Sequence, residues 1–330
     1  MRKKCIAVTM GDPGGIGPEI ILKALRKPPS SCLVVAGIPG VFEEAARASG
    51  LKYSWPVLQE GTPIPAKGVI LLDVSKRASL ILGRKSVPSF RKSGLSRTNA
   101  AMALASLDAA TALALEGQVG GIATAPLNKT ALRRILPDFT GHTEYLAEKS
   151  NCRRFAMMFV GSRLKVTLVT IHLPLREVSR RVTRSAVLEK IRLTHQFLKE
   201  RFGIRRPRIA VCALNPHGEE TGSEEPRVIV PAVRDALRER MNVTGPFSAD
   251  QLFYDAYEGR YDGLIAMYHD QALAPFKMIS FRDGVNVTLG LPFVRTSPDH
   301  GTAFDIAYQG KADPQSMAES IRRACQWASR

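Results

Sequence analysis

Apolar runs of Val, Ile, Leu and Ala recur along this chain, each closed by glycine, proline or a polar turn and followed by residues at helical spacing. Strands alternating with helices in this way predict an α/β fold with a mostly parallel sheet. In the first half, 5–9, 33–36, 69–72 and 121–124 are the predicted strands. A helix begins at 18–25, and the Ala/Leu-rich segment 98–115 is a long helix of strong propensity that Gly117 ends. Another helix resumes at Thr130, and 142–150 is a further one with Thr140 or Gly141 near its cap. Beyond it, 185–201, 228–240, 249–257 and 314–328 read as helices, while 52–67, rich in proline and polar residues, reads as a loop or hairpin.

Three of the six histidines lie where an apolar run has just ended. The run 166–171 delivers His172, 209–214 delivers His217 after Asn215 and Pro216, and 263–268 delivers His269. Open α/β sheets bind ligands beyond the carboxyl ends of their parallel strands. Neutral imidazoles gathered there could hold one divalent cation and leave coordination positions open for substrate. A single strand-end histidine is more often a satisfied structural residue, so the threefold repetition is what points to a metal-assisted enzyme. Whether the three meet within one subunit or between two stays open. His195, inside a helix with no polar constellation around it, reads as a surface residue.

Other stretches carry weaker signals. The glycine-rich turn 11–17 joins a strand to a helix, yet lacks the Lys-Ser/Thr of a P-loop and the spacing of a dinucleotide fingerprint, so packing turn and ligand contact are equally good accounts. His142 and Thr143 stand at a helix start, where backbone amides, a hydroxyl and an imidazole could receive an anion or merely cap the helix. Asp250, Lys277, Asn286 and Arg295 crowd the last third with His269. A lysine, an asparagine and an arginine at strand or loop boundaries could clamp a phosphate or carboxylate. Asp250, close in sequence to His269, is the candidate general base. The polar loop 299–307, with His300, Gly301 and Asp305, suits a cofactor or a turn equally.

At 330 residues the chain is long for one hydrophobic core, so two domains are expected. No uninterrupted apolar run reaches the ~20 residues needed to cross a bilayer, and the basic start 1–4 has too short an apolar sequel for a signal peptide. Five scattered cysteines without a CxxC pair fit a reduced, cytoplasmic setting. Forty-seven basic against thirty acidic residues leave a net charge of +17. The basic residues are dispersed and few aromatics interleave them, which favours a surface that attracts anionic metabolites over a nucleic-acid binder.

The segments GDPGGIGPEI, TAPLNK, GHTEYLA, HLPL, LNPH, MYHDQALAPFK and NVTLGLPFVRTSPDHGTAFDIA together resemble the 4-hydroxythreonine-4-phosphate dehydrogenase (PdxA) family, in the family's order from residue 6 to beyond 310. The resemblance implies a two-domain fold like that of isopropylmalate and isocitrate dehydrogenases, with mostly parallel sheets and a cleft between domains. The expected division is 1–125 with 285–330, which would contact the dinucleotide, and 126–284, which would carry the metal ligands and the dimer interface. It further implies oxidation of 4-phosphohydroxy-L-threonine with NAD or NADP, then loss of carbon dioxide to give 3-amino-2-oxopropyl phosphate for pyridoxal 5'-phosphate synthesis. His172, His217 and His269 occupy the family's positions for a divalent metal (zinc, magnesium or cobalt), and His142, Thr143, Lys277, Asn286 and Arg295 its substrate positions. The loop with His300, Gly301 and Asp305 corresponds to the one that lies against the dinucleotide. The family is a homodimer with shared active sites, His269 coming from the partner of the other two. D-threonate or D-erythronate 4-phosphate is the alternative substrate, and a phosphate acyltransferase, which needs no histidine triad, is a weaker reading. Two departures stand out: the stretch 218–225 is shorter than the family's usual pattern by roughly three residues, and Tyr308 stands where a small residue is common.

Overall fold

The computed structural model describes residues 5–329. The basic start 1–4 lies outside them. Twelve strands follow in chain order. They are β1 (Cys5–Thr9), β2 (Leu33–Gly37), β3 (Val57–Gln59), β4 (Val69–Asp73), β5 (Val119–Thr124) and β6 (Ala156–Val160). The remainder are β7 (Lys165–Leu168), β8 (Ile209–Cys212), β9 (Val243–Phe247), β10 (Gly263–Ala266), β11 (Val285–Leu289) and β12 (Val294–Pro298).

The chain forms two compact units: residues up to Asn151 with Leu291–Ser329, and Cys152–Gly290. In the first, β3, β4, β2, β1, β5 and β12 lie side by side, every neighbouring pair parallel. Ile6, Ala7 and Val8 have no exposed surface, because helices cover both faces of a parallel sheet; hence the uninterrupted apolar runs rather than alternation. In the second unit the order is β11, β6, β7, β10, β8, β9. Here β11–β6 and β6–β7 are antiparallel and the rest parallel. Its core gathers Phe159, Leu164, Val166, Leu264 and Phe276.

The units divide at 151/152 and 290/291, whereas the sequence suggested 125/126 and 284/285. Helices Lys129–Leu132 and His142–Lys149 stay with the first unit, Tyr145 hydrogen-bonding Asp108 of helix Arg97–Leu115. That long helix is the only one among the described residues with the length and apolarity to cross a membrane, and 72% of its most apolar 18-residue stretch is buried inside the fold. Segment 52–67 forms no hairpin: β3 runs parallel to β4 as an edge strand, beside an aromatic contact of Phe42 with Trp55 at 5.6 Å. The helix expected over 228–240 starts earlier, as a wide π turn Glu225–Ile229 continued by Val230–Arg238.

Candidate active site

In the first unit, pairing of β12 with β5 sets Arg295, the second residue of β12, opposite Ile122, two residues before the end of β5. Its Nε and Nη2 donate to Thr124 Oγ1 at 3.2 and 2.9 Å, and Nη1 lies 3.5 Å from Thr143 Oγ1. Arg295 is only 3% exposed. Burial pulls its pKa down to about 10, with Glu144 opposing, so the guanidinium is charged at neutral pH. His142 opens helix His142–Lys149, and its Nε2 is buried without a hydrogen-bond partner. Burial first, then Arg295 and Lys129, push this imidazole well below its usual 6.5, leaving it neutral at pH 7. An orphaned buried nitrogen costs about 1–3 kcal/mol, which a ligand would recover. A buried, positively charged cluster at a helix start, with hydroxyls and a neutral imidazole, suits a phosphate or carboxylate.

The second unit holds the three histidines of the proposed ligand set. Strands β7 and β10 stay together past their ends: Val169 N donates to Ala266 O at 2.8 Å, and Thr170 donates to Met267 O through N at 3.1 and Oγ1 at 2.7 Å. His172, on the exposed end of one, and His269, first residue of helix His269–Ser280, thereby come to 5.8 Å between ring centroids. Imidazoles sharing a divalent ion at about 2.0–2.1 Å have centroids roughly 5–6 Å apart, so these two fit such an ion. His269 Nδ1 meets Asp270 Oδ1 at 2.7 Å, which fixes the ring and frees Nε2. His217 is exposed and adopts a left-handed φ of 56°. It borders a cavity of about 490 Å³ that Asp250, Phe253, Tyr268 and Gln271 also line. No group of three or more His, Cys, Asp or Glu able to hold a metal is assembled among the described residues. Within this chain the rings shown side by side are those of His172 and His269.

Asp250 is exposed at the second position of helix Ala249–Tyr257 and shares the His217 cavity. Lys277 lies within helix His269–Ser280, its ammonium 5.4 Å from the Phe281 ring centroid. Asn286, in β11 opposite Phe159, has a buried Oδ1 with no partner, a counterpart to His142 Nε2.

The glycine turn is explained by packing. Gly11 has φ 72°, and a Cβ there would lie 2.3 Å from Pro126 O. A Cβ on Gly15 would lie 2.6 Å from Thr302 O, the carbonyl that accepts from Ile16 N at 2.9 Å. The loop carrying His300, Gly301 and Asp305 thus rests on this turn, with all three residues exposed. Burial raises Asp12 to about 6 despite hydrogen bonds from Gly14 and Asn99. Tyr308 donates to Pro13 O and packs on Phe90 at 5.6 Å; its own φ of 61° is the reason a small residue suits that position. Buried Glu19 clamps the end of the loop, accepting from Ala312 N at 2.9 Å and pairing with Lys23 at 2.7 Å.

Sequence reasoning did not single out Thr124, Lys129 or Gln271. The first two belong to the TAPLNK stretch, whose strand-to-helix position was the available signal.

A family profile described as "Pyridoxal phosphate biosynthetic protein PdxA" matches residues 30–324. A protein of Desulforapulum autotrophicum named 4-hydroxythreonine-4-phosphate dehydrogenase is 44% identical, with 98% of this chain and 95% of that protein covered. A D-threonate 4-phosphate dehydrogenase of Pectobacterium atrosepticum is 43% identical, with 98% and 99% covered. The crystal structure of a 4-hydroxythreonine-4-phosphate dehydrogenase from Klebsiella pneumoniae superimposes with a TM-score of 0.83 at 38% identity, covering 98% of this chain and 99% of that one.

Proposed function

The chain belongs to the PdxA family, and we propose that it oxidises 4-phosphohydroxy-L-threonine at C3 with NAD or NADP, the product losing carbon dioxide to become 3-amino-2-oxopropyl phosphate. The observation that carries this reading is the buried Arg295 guanidinium on Thr124 and Thr143 beside the orphaned His142 nitrogen. Such a cluster selects an anionic, hydrogen-bonding substrate.

Arg295, Thr143 and His142 bind the acidic end of the substrate, with Lys277 and Asn286 adding a charge and an amide. His172, His217 and His269 would hold a divalent ion (zinc, magnesium or cobalt), whose Lewis acidity would lower the pKa of the substrate hydroxyl and favour decarboxylation. Asp250 takes the hydroxyl proton, its exposure beside His217 leaving it free to do so. His300, Gly301 and Asp305 contact the dinucleotide from the loop that rests on the glycine turn. The working form is a cytoplasmic homodimer with shared active sites. The exposure of Met278 (88%), Phe281 (74%) and Leu175 (72%) supports an apolar face covered by a second copy.

The test is NADH formation from 4-phosphohydroxy-L-threonine and, in parallel, from D-threonate 4-phosphate, each with and without chelator. Turnover of the amino substrate, abolished by chelator and restored by a divalent metal, is expected. Turnover of the hydroxy acid alone would transfer the chain to the other activity of its family.

A further inference from the structure

His217 follows a segment whose backbone amides at 214 and 215 are held from behind. Glu225, with no exposed surface, accepts from the backbone amides of Leu214 and Asn215 at 2.8 Å each through one carboxylate oxygen. Its other oxygen accepts from Asn215 Nδ2 at 3.0 Å. Glu224 takes the same side-chain amide at 3.0 Å and accepts from Ser179 Oγ at 2.6 Å. On the other side, Gln271 accepts from Met267 N and donates to Ala213 O, both at 2.7 Å. One side chain thus ties the strand end before His217 to the strand end before His269. The stretch 218–225 packs back on Asn215: a Cβ on Gly222 would lie 1.9 Å from Asn215 Nδ2.

A buried carboxylate costs several kcal/mol in lost hydration unless donors replace the water. Glu225 meets its donors only on the two residues that precede Pro216 and His217. His217 itself holds a left-handed backbone conformation, uncommon for a residue with a side chain, and is exposed. The backbone behind that exposed imidazole is what the hydrogen bonds hold. We propose that Glu225 is a positioning residue for His217, locking the 214–215 amides so that the imidazole is presented to a divalent cation in one orientation. This rests on the reading of His217 as a metal ligand.

The test uses the full chain and cobalt(II), followed by its visible absorption and by calorimetry, so that no turnover is needed. His217→Ala should weaken cobalt binding, and Glu225→Ala should weaken it roughly 10–100-fold, the range found for groups that orient metal ligands. Glu225→Gln, which keeps an acceptor for both backbone amides, should restore affinity to within about threefold of the parent, well inside that range. Thr194→Ala, which breaks the buried Thr167–Thr194 hydrogen bond elsewhere in the same unit, should leave affinity unchanged. If Glu225→Ala does not fold, Glu225→Asp decides: a carboxylate drawn back by one methylene should lose about tenfold, and parental affinity there overturns the proposal. Normal affinity in His217→Ala would remove the metal reading itself. Weak binding in His217→Ala with normal binding in Glu225→Ala, or equal loss in Thr194→Ala, would remove the positioning role alone.

Discussion

The buried polar cluster of the first unit and the histidine end of the second solve opposite problems. Around Arg295 the functional groups themselves are buried, desolvated and already hydrogen-bonded to Thr124, with His142 Nε2 left over. Around His172 and His217 the functional rings are exposed, and burial belongs to the groups behind them: Thr170 at 5% and Glu225 at 0% exposure. The first arrangement tunes charge and protonation through burial. The second leaves imidazoles with ordinary access to a cation and spends its hydrogen bonds on backbone geometry. In the proposed function, anion recognition would depend on dielectric, and cation recognition on orientation.

The largest expected effect separates the two directly. His172→Ala should reduce cobalt(II) affinity beyond the roughly 10–100-fold that supporting groups contribute, since a ligand is lost. Binding of the phosphorylated substrate to the metal-free protein, followed by calorimetry, should stay unchanged. A parallel fall in both would mean that the regions do not act separately.

Next, Arg295→Met should raise the KM for the phosphorylated substrate by about 10–100-fold, consistent with the roughly 1.5–3 kcal/mol of a charge-assisted hydrogen bond. Its thermal midpoint should hold or rise, because the guanidinium is buried at a desolvation cost. A marked loss of stability would show that this residue serves the fold before it serves the ligand.

The smallest effect is a pH dependence. The folded state holds the His142 pKa below 6.5, so the unfolded chain takes up the proton first. Stability should therefore fall as pH drops below about 6.5, by at most about 1.4 kcal/mol per pH unit, until the folded-state pKa is reached. His142→Gln should flatten this slope in urea titrations at pH 7.5 and 5.5. An unchanged slope would reassign it to other groups.

Local elements were legible because their causes are local. Strand β1 and helix Ala249–Tyr257 lie where apolar spacing put them, and Gly117, at φ 72°, follows the long helix as expected. Segment 52–67 was less so, since β3 is only three residues long, and pairing with β4 rather than any pattern of its own makes it a strand. The domain limits shifted because Tyr145 ties its helix to Asp108, a contact between residues far apart in sequence. In the site, the chain displayed every candidate side chain but not its company. Glu225 stood in view as one of two adjacent glutamates, with nothing local to mark it as the buried one.

By itself, the order of residues determined an α/β chain, the strand ends at which His172, His217 and His269 emerge, and the family motifs around them. Only the tertiary structure decided that Arg295 meets Thr124 and Thr143, that His172 neighbours His269, and that Glu225 stands behind His217. The physical reason is range. Backbone sterics and apolar periodicity act over a few residues, whereas hydration, charge and hydrogen-bond partners are set by whichever distant segments packing brings into the same dry space.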